Sequence, residues 1–231
     1  MDLSSICHGS LKKQRNQKIY SYKPTLNEFL KRYDDKSKDT KAGMIGELLT
    51  HIVIPTIFPN LKVASPLFNL EETSVKKGFD IIYFDEKIHT WLTEVKSTNS
   101  QMSDITKISK GLLGLGYRDL KKRALKKNQT IWHNAVNSAT SALIQNDTKD
   151  AFLKILDDYL NNSTSINVKN DLNIIISGVI FNKIKNNINI DKVSLRRGKY
   201  ENEKKFQAIV SITIKKKVFR EIEKFLREES R

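Results

Sequence analysis

The sequence predicts an α/β protein in which one mixed β-sheet is flanked by helices on both faces. Segments with helical spacing of apolar residues alternate with short runs rich in β-branched and aromatic residues. Their order, α-β-β-β-α-β with a later β-α, favours a single mixed-sheet domain. Of the residues, 39% are hydrophobic and 29% charged, which is an ordinary balance for a globular protein.

The first half of the chain begins with a polar, charge-dense segment. We expect residues 1–40 to form an N-terminal arm or a small subdomain, and residues 41–231 to form the main domain. A helix is expected from Lys41 onward, because apolar residues recur there at helical spacing. Pro55 and Pro59 should end that helix.

Three β-rich runs and a loop follow the first helix. Leu61–Leu70 is predicted to be a strand that Pro66 interrupts. Phe79–Phe84 and Ile88–Val95 flank three polar residues, which indicates a hairpin. Ser97–Gly116 contains three glycines and is expected to be a loop.

The second half of the chain repeats the alternation of helices and strands. The predicted helices are Tyr117–Lys127, Ile131–Gln145, Asp150–Leu160 and, at the end, Val218–Arg227. The predicted strands are Leu172–Phe181 and Phe206–Ile214, with a polar linker at Asn161–Asn170.

Charge and cysteine content narrow the classes of function. Lys and Arg outnumber Asp and Glu by 41 to 26, so the net charge is +15. Such an excess attracts polyanions, nucleic acid before anionic membranes, although a general bias toward Lys, Asn and Ile could also produce it. Cys7 is the sole cysteine, which excludes an intramolecular disulfide and a Cys-rich zinc site and favours a reducing compartment. The longest apolar stretch, Ile174–Phe181, is too short to span a bilayer, so we expect a cytoplasmic protein.

One group of ionisable residues stands at the end of the predicted hairpin. Side chains two apart on a strand share a face, so Glu94 and Lys96 should project together. If the turn centres on Lys87, Asp80 lies opposite Glu94, whereas a register shifted by one residue would place Asp80 opposite Thr93. Two facing carboxylates repel each other unless a cation lies between them, and their oxygens suit Mg²⁺ or Mn²⁺.

Lys96 would stand beside such a cation. Its ammonium could stabilise charge on a phosphate or help to activate the attacking water, and the metal would polarise the phosphoryl group. This combination is what cleavage of a phosphodiester requires. Glu47, which follows Gly46 on the first helix, is a further candidate, and a solvated glutamate is the alternative.

These residues resemble a known motif. Gly46-Glu47, Lys77-Gly78-Phe79-Asp80 and Glu94-Val95-Lys96 are similar to the PD-(D/E)xK nuclease superfamily, with Phe79 where the motif has proline. The stretch VKKGFDIIYFDEKIHTWLTEVKS is most similar to the HamA family, the nuclease subunits of Hachiman anti-phage defence systems. The specific part of the resemblance covers about residues 41–98.

The resemblance implies a restriction-endonuclease-like fold and metal-dependent cleavage of DNA. It also implies a superfamily-2 helicase partner, HamB-like, that controls the nuclease. By position, Asp80 and Glu94 would bind the metal, with the Val95 carbonyl as a possible further ligand. Lys96 would be catalytic, and Glu47 would assist the metal or the water.

A basic segment follows the hairpin. Asp119 is the one acid in Thr106–Lys127, against eight basic residues. We interpret the segment as a surface that follows DNA phosphates, and a solvated helix face is the alternative. The predicted nucleic-acid-binding residues are Lys107, Lys110, Arg118, Lys121, Lys122 and Arg123.

Two other functions remain open from the sequence alone. The chain could be a non-catalytic subunit that binds DNA or a partner on a nuclease-like scaffold. It could also be a basic toxin that needs no partner. The presence of Asp80, Glu94 and Lys96 together favours the nuclease.

Overall fold

The computed structural model describes residues 6–9, 16–67, 78–125, 129–161, 172–217 and 219–231. After a helical turn at residues 6–9, the helices are α1 (Tyr22–Asp34), α2 (Lys38–Ile57), α3 (Ile105–Leu125), α4 (Gln129–Ala142), α5 (Asp147–Asn161), α6 (Ile190–Asn202) and α7 (Phe219–Glu229). The strands are β1 (Lys62–Val63), β2 (Ile81–Phe84), β3 (Thr90–Thr98), β4 (Asn173–Phe181) and β5 (Ala208–Lys216).

The five strands form one mixed sheet in the order β1-β2-β3-β4-β5. β1, β2 and β3 pair antiparallel, whereas β3, β4 and β5 pair parallel. The parallel pairs need crossovers, and helices α3–α5 and then α6 provide them. The predicted α/β class with a mixed sheet is therefore confirmed.

Helices cover both faces of the sheet. α1, α2 and α7 pack on the face that carries Val95, and α3–α6 pack on the face that carries Leu92. Every residue of β4 is buried, as expected for a strand covered on both sides. The layers thus place odd-numbered residues of β3 toward α2 and even-numbered residues toward α3.

The hairpin adopts the register that places Asp80 opposite Glu94. Ile81 pairs with Thr93 and Ile82 with Leu92. β3 begins at Thr90, two residues later than expected, because Ile88 has a positive φ of 64° and belongs to the turn. Asp85 organises that turn: its carboxylate accepts hydrogen bonds from the backbone of Lys87 and His89 and from the side chains of His89 and Trp91.

Asp85→Ala is expected to lower the free energy of unfolding by roughly 2–3 kcal/mol at pH 7, because four donors lose a charged acceptor. Burial alone would raise the pKa of Asp85, but the hydrogen bonds from His89 and Trp91 outweigh it and lower the pKa. The charged form therefore stabilises the fold above the ordinary aspartate pKa, and that stabilisation is lost as the pH falls through the lower folded value. Urea unfolding across this pH range measures it, with the exposed neighbour Glu86→Ala as the control. Equal losses in both variants would contradict the role of Asp85.

Two sequence predictions in this region are corrected. Residues 105–116 are helical rather than a loop. Gly116 lies against β4, where a Cβ would collide with Ile176, and Gly114 faces α6, where a Cβ would lie 3.0 Å from the end of the Arg196 side chain. The helix α2 passes through Pro55 and ends at Ile57, two residues before Pro59, so of the two prolines expected to end it only Pro59 lies beyond its end.

Two helices were not predicted. α1 buries Leu26, Phe29, Leu30 and Tyr33, which follow helical spacing, in the same cluster as α2. The sequence did not predict α6, because Tyr200 is the one residue that this helix buries and almost no apolar periodicity remains. The domain boundary near residue 40 stays a prediction.

Part of the expected strand Leu61–Leu70 and residues 162–170 of the expected linker Asn161–Asn170 lie outside the described residues, and Asn161 is the last residue of α5. Within the described part, the strand is limited to β1. None of the described helices combines the length and the apolar content that crossing a lipid bilayer requires.

Candidate active site

Two glycines bring helices close to the strand that carries Glu94 and Lys96. A Cβ on Gly116 of α3 would lie 2.6 Å from Cγ2 of Ile176 on β4, and 3.8 Å from the Cγ atoms of both Glu94 and Lys96. On the other face, a Cβ on Gly46 of α2 would collide with the Ser97 side chain. At Gly43 of the same helix, a Cβ would meet nothing within 4 Å.

Asp80 is fixed at the end of the hairpin by the neighbouring strand. Its Oδ2 accepts a 2.7 Å hydrogen bond from the backbone N–H of Val95. The carbonyl and the N–H of one strand residue point to the same side, so the Val95 carbonyl is also directed toward the edge where Asp80 lies. β2 begins at Ile81, which pairs with Thr93, so the described ladder ends before Val95.

Glu94 lies almost entirely out of solvent, at 1% relative exposure. Burial and the nearby charge of Asp80 raise the pKa of its carboxyl to about 7, against the lowering influence of Lys96 and Arg123. Because this pKa lies near neutral pH even with Lys96 and Arg123 in place, a further cation beside the carboxyl would favour its charged form. Such strongly shifted groups concentrate at functional sites.

Lys96 projects on the same face and lies between two acids. Its Nζ is 2.8 Å from Oε1 of Glu94 and 2.6 Å from Oδ2 of Asp119 on α3. Burial alone would lower the pKa of Lys96, but the hydrogen bonds to Asp119 and Glu94 outweigh it and raise the pKa. Lys96 is therefore an ammonium at neutral pH, which suits stabilisation of a phosphate charge better than proton abstraction.

Arg123 of α3 completes the group. Its Nη1 is 2.7 Å from Oε2 of Glu94, 3.0 Å from the Gly78 carbonyl and 3.8 Å from Oδ1 of Asp80. One guanidinium nitrogen thus faces both carboxylates. We call Asp80, Glu94, Lys96, Asp119 and Arg123 the charge cluster.

The sequence predicted that Asp80, Glu94 and Lys96 lie together, and it did not predict that Asp119 and Arg123 join them. In the sequence, Asp119 is the one acid in a basic segment, and Arg123 is predicted to bind DNA. Their spacing of four residues, one turn of a helix, and the glycine at position 116 were the available indications. Neither reveals which way the helix faces.

Glu47 lies on the other layer of the molecule. It is half-buried on α2, whose neighbouring residues Gly46 and Thr50 contact Ser97 and Ser177, on the face opposite Glu94. Its role in the site stays a prediction.

The oxygen atoms gathered here fit a divalent cation. Asp80 and Glu94 present carboxylates that already face shared positive charge, and the Val95 carbonyl is directed to the same edge. Oxygen donors of this kind suit Mg²⁺ or Mn²⁺. Among the described residues, no group of three or more His, Cys, Asp or Glu is placed to hold an ion, so the fit rests on two acids and a backbone oxygen.

The six basic residues of α3 that were predicted to bind nucleic acid are all exposed or half-exposed. They are Lys107, Lys110, Arg118, Lys121, Lys122 and Arg123. Lys121 pairs with Glu203 at 2.5 Å, and Arg123 points into the charge cluster. Arg118 and Lys121 also line a cleft between α3 and α6, together with Arg196.

Neither the curated proteins nor the solved structures give a match to this chain. A model of the HamA family matches residues 3–228, which is nearly the whole chain. The matched range includes all five residues of the charge cluster. The chain belongs to the HamA family.

Proposed function

We propose that this protein is a metal-dependent DNA nuclease that cleaves phosphodiester bonds at the charge cluster. The observation that carries the proposal is the convergence of Asp80, Glu94 and Lys96 on one face at the end of the β2–β3 hairpin. Burying such groups without a task is unfavourable, which supports a functional site. Membership of the HamA family fits a component of a Hachiman defence system.

In this proposal, Asp80, Glu94 and the Val95 carbonyl hold Mg²⁺ or Mn²⁺. The bound ion supplies Lewis-acid polarisation of the phosphoryl group and acidifies water. Lys96, held as an ammonium by Asp119, stabilises the charge that develops on the phosphate. Glu47 is a candidate to assist the metal or the water from the α2 side.

The positive surface of α3 would bring DNA to the site. The helix that carries Asp119 and Arg123 also carries Lys107, Lys110, Arg118 and Lys122. A DNA strand bound along α3 would therefore pass the charge cluster. Such contacts would make affinity fall steeply with salt. We propose that the activity operates in the cytoplasm and that a superfamily-2 helicase subunit controls it.

The test measures degradation of plasmid and linear DNA in Mg²⁺, in EDTA, and after Mg²⁺ is restored. Lys96→Gln is expected to lower the rate about 10²–10³-fold, because one fixed charge is removed from the transition state. Lys87→Gln is the matched control, since Asp85-x-Lys87 repeats the acid-x-Lys pattern at the exposed turn of the same hairpin.

The assay is run on the chain alone and with any protein that co-purifies with it, with and without ATP. Cleavage that needs Mg²⁺ and Lys96 supports the proposal. Equal activity of Lys96→Gln and the wild type would place catalysis elsewhere.

One observation favours a second candidate. The two acids are paired with cations of their own chain, as a non-catalytic scaffold that binds DNA or a partner would also show. Salt-dependent DNA binding without cleavage under any of these conditions would support that function instead.

A further inference from the structure

The helix α3 and the strand β3 carry complementary charges where they face each other. Glu94 and Lys96 stand two apart on the strand, and Asp119 and Arg123 stand four apart on the helix. Lys96 pairs with Asp119 at 2.6 Å, and Glu94 pairs with Arg123 at 2.7 Å. The helix therefore carries a counter-ion for each charged group of the strand.

Arg123 holds a particular position within this arrangement. Its Nη1 faces Glu94, Asp80 and the Gly78 carbonyl, which is a set of oxygen atoms around one positive centre. A cation shared by the two carboxylates would need the same oxygens and the same space. Arg123 is also one-third exposed, so its side chain has solvent into which it can move.

The net charge of the cluster also indicates that a metal ion and Arg123 would compete for the same acids. With all groups ionised, the charge cluster carries three negative and two positive charges, a net of one negative charge. A divalent cation placed beside Arg123 would meet a positive charge at close range, where repulsion is only weakly screened.

We propose that Arg123 is the resident counter-ion of the metal site: its guanidinium neutralises Glu94 and Asp80 until a divalent cation displaces it, so Arg123 weakens metal binding. This inference rests on the proposed function, since it concerns the same two carboxylates. Arg123 acts through them and is a positioning residue. Metal affinity in this protein is then set by a competition between two cations for one pair of acids.

The test measures Mn²⁺ binding to the full chain without DNA. Electron paramagnetic resonance of free Mn²⁺ and calorimetry both give the affinity. Arg123→Gln is expected to bind Mn²⁺ at least about ten-fold more tightly than the wild type, because the competing charge is gone. Arg197→Gln is the matched control: it removes an arginine from an exposed ion pair with Glu201 on α6 and should change affinity less than two-fold.

A second measurement tests the inference even if one of the variants is less stable than the wild type. The rise in unfolding temperature on adding Mn²⁺ should be larger for Arg123→Gln than for the wild type, and Arg123→Met should behave in the same way. Unchanged or weaker Mn²⁺ binding by both Arg123 variants, with Mg²⁺-dependent cleavage intact in the wild type, overturns this inference alone. Absence of both metal binding and cleavage in the wild type overturns the proposed function and the inference together.

Discussion

Glu94→Gln is expected to reduce Mg²⁺-dependent DNA cleavage at least about 10³-fold, equivalent to ~4 kcal/mol of lost transition-state stabilisation. The amide keeps the shape of the buried side chain but removes the negative charge that both Lys96 and Arg123 face. It is a poor ligand for a divalent cation compared with a carboxylate. Initial rates on a linear duplex, measured at saturating Mg²⁺, give the ratio.

Glu86→Gln makes the same chemical change at the exposed turn of the hairpin and should cleave at the wild-type rate. Chemical unfolding of both variants separates a loss of chemistry from a loss of fold. If folded Glu94→Gln retains more than a tenth of the wild-type rate, Glu94 does not hold the metal.

Gly116→Ala is expected to lower the free energy of unfolding by roughly 1–3 kcal/mol, despite the better helix propensity of alanine. The added Cβ would lie 2.6 Å from Cγ2 of Ile176, in the interior between α3 and β4. Relief of that contact requires α3 to move outward, and the helix would take Asp119 and Arg123 with it. Cleavage should therefore fall together with stability.

Gly111→Ala supplies the matched comparison in the same helix. A Cβ at Gly111 would meet nothing within 4 Å, so this variant should gain up to about 1 kcal/mol through helix propensity alone. Urea unfolding of the two variants should thus give changes of opposite sign. A gain in stability for Gly116→Ala would show that Gly116 is not needed for the contact between α3 and β4.

The sequence predicted the hairpin well, because the residues that specify its two strands and its turn are adjacent in the chain. Runs of β-branched and aromatic residues on either side of Asp85-Glu86-Lys87 indicate two strands and a turn. The sequence left two registers open, and the structure adopts the one that places Asp80 opposite Glu94. The start of α3 was missed for the opposite reason. Gly114 and Gly116 lower helix propensity locally, and only their contacts with α6 and β4 show why the helix has them.

The partners of the candidate site were harder to predict than its acids. Asp119 and Arg123 meet Lys96 and Glu94 because α3 packs on one face of the sheet with a particular rotation about its axis. Acid and basic residues spaced four apart occur on many solvated helices, so their spacing alone does not distinguish them. The sequence likewise did not show that the helix of Glu47 packs on the face of the sheet opposite Glu94.

All members of the charge cluster come from one uninterrupted stretch of chain, from Asp80 on the hairpin to Arg123 on α3. β4 and β5 support this stretch but contribute none of the five side chains. A polypeptide divided between α5 and β4 would therefore keep every charge of the cluster on its N-terminal fragment. Recovery of cleavage on mixing the two fragments would then depend on rebuilding the pairing of β3 with β4, and not on joining two halves of a catalytic centre.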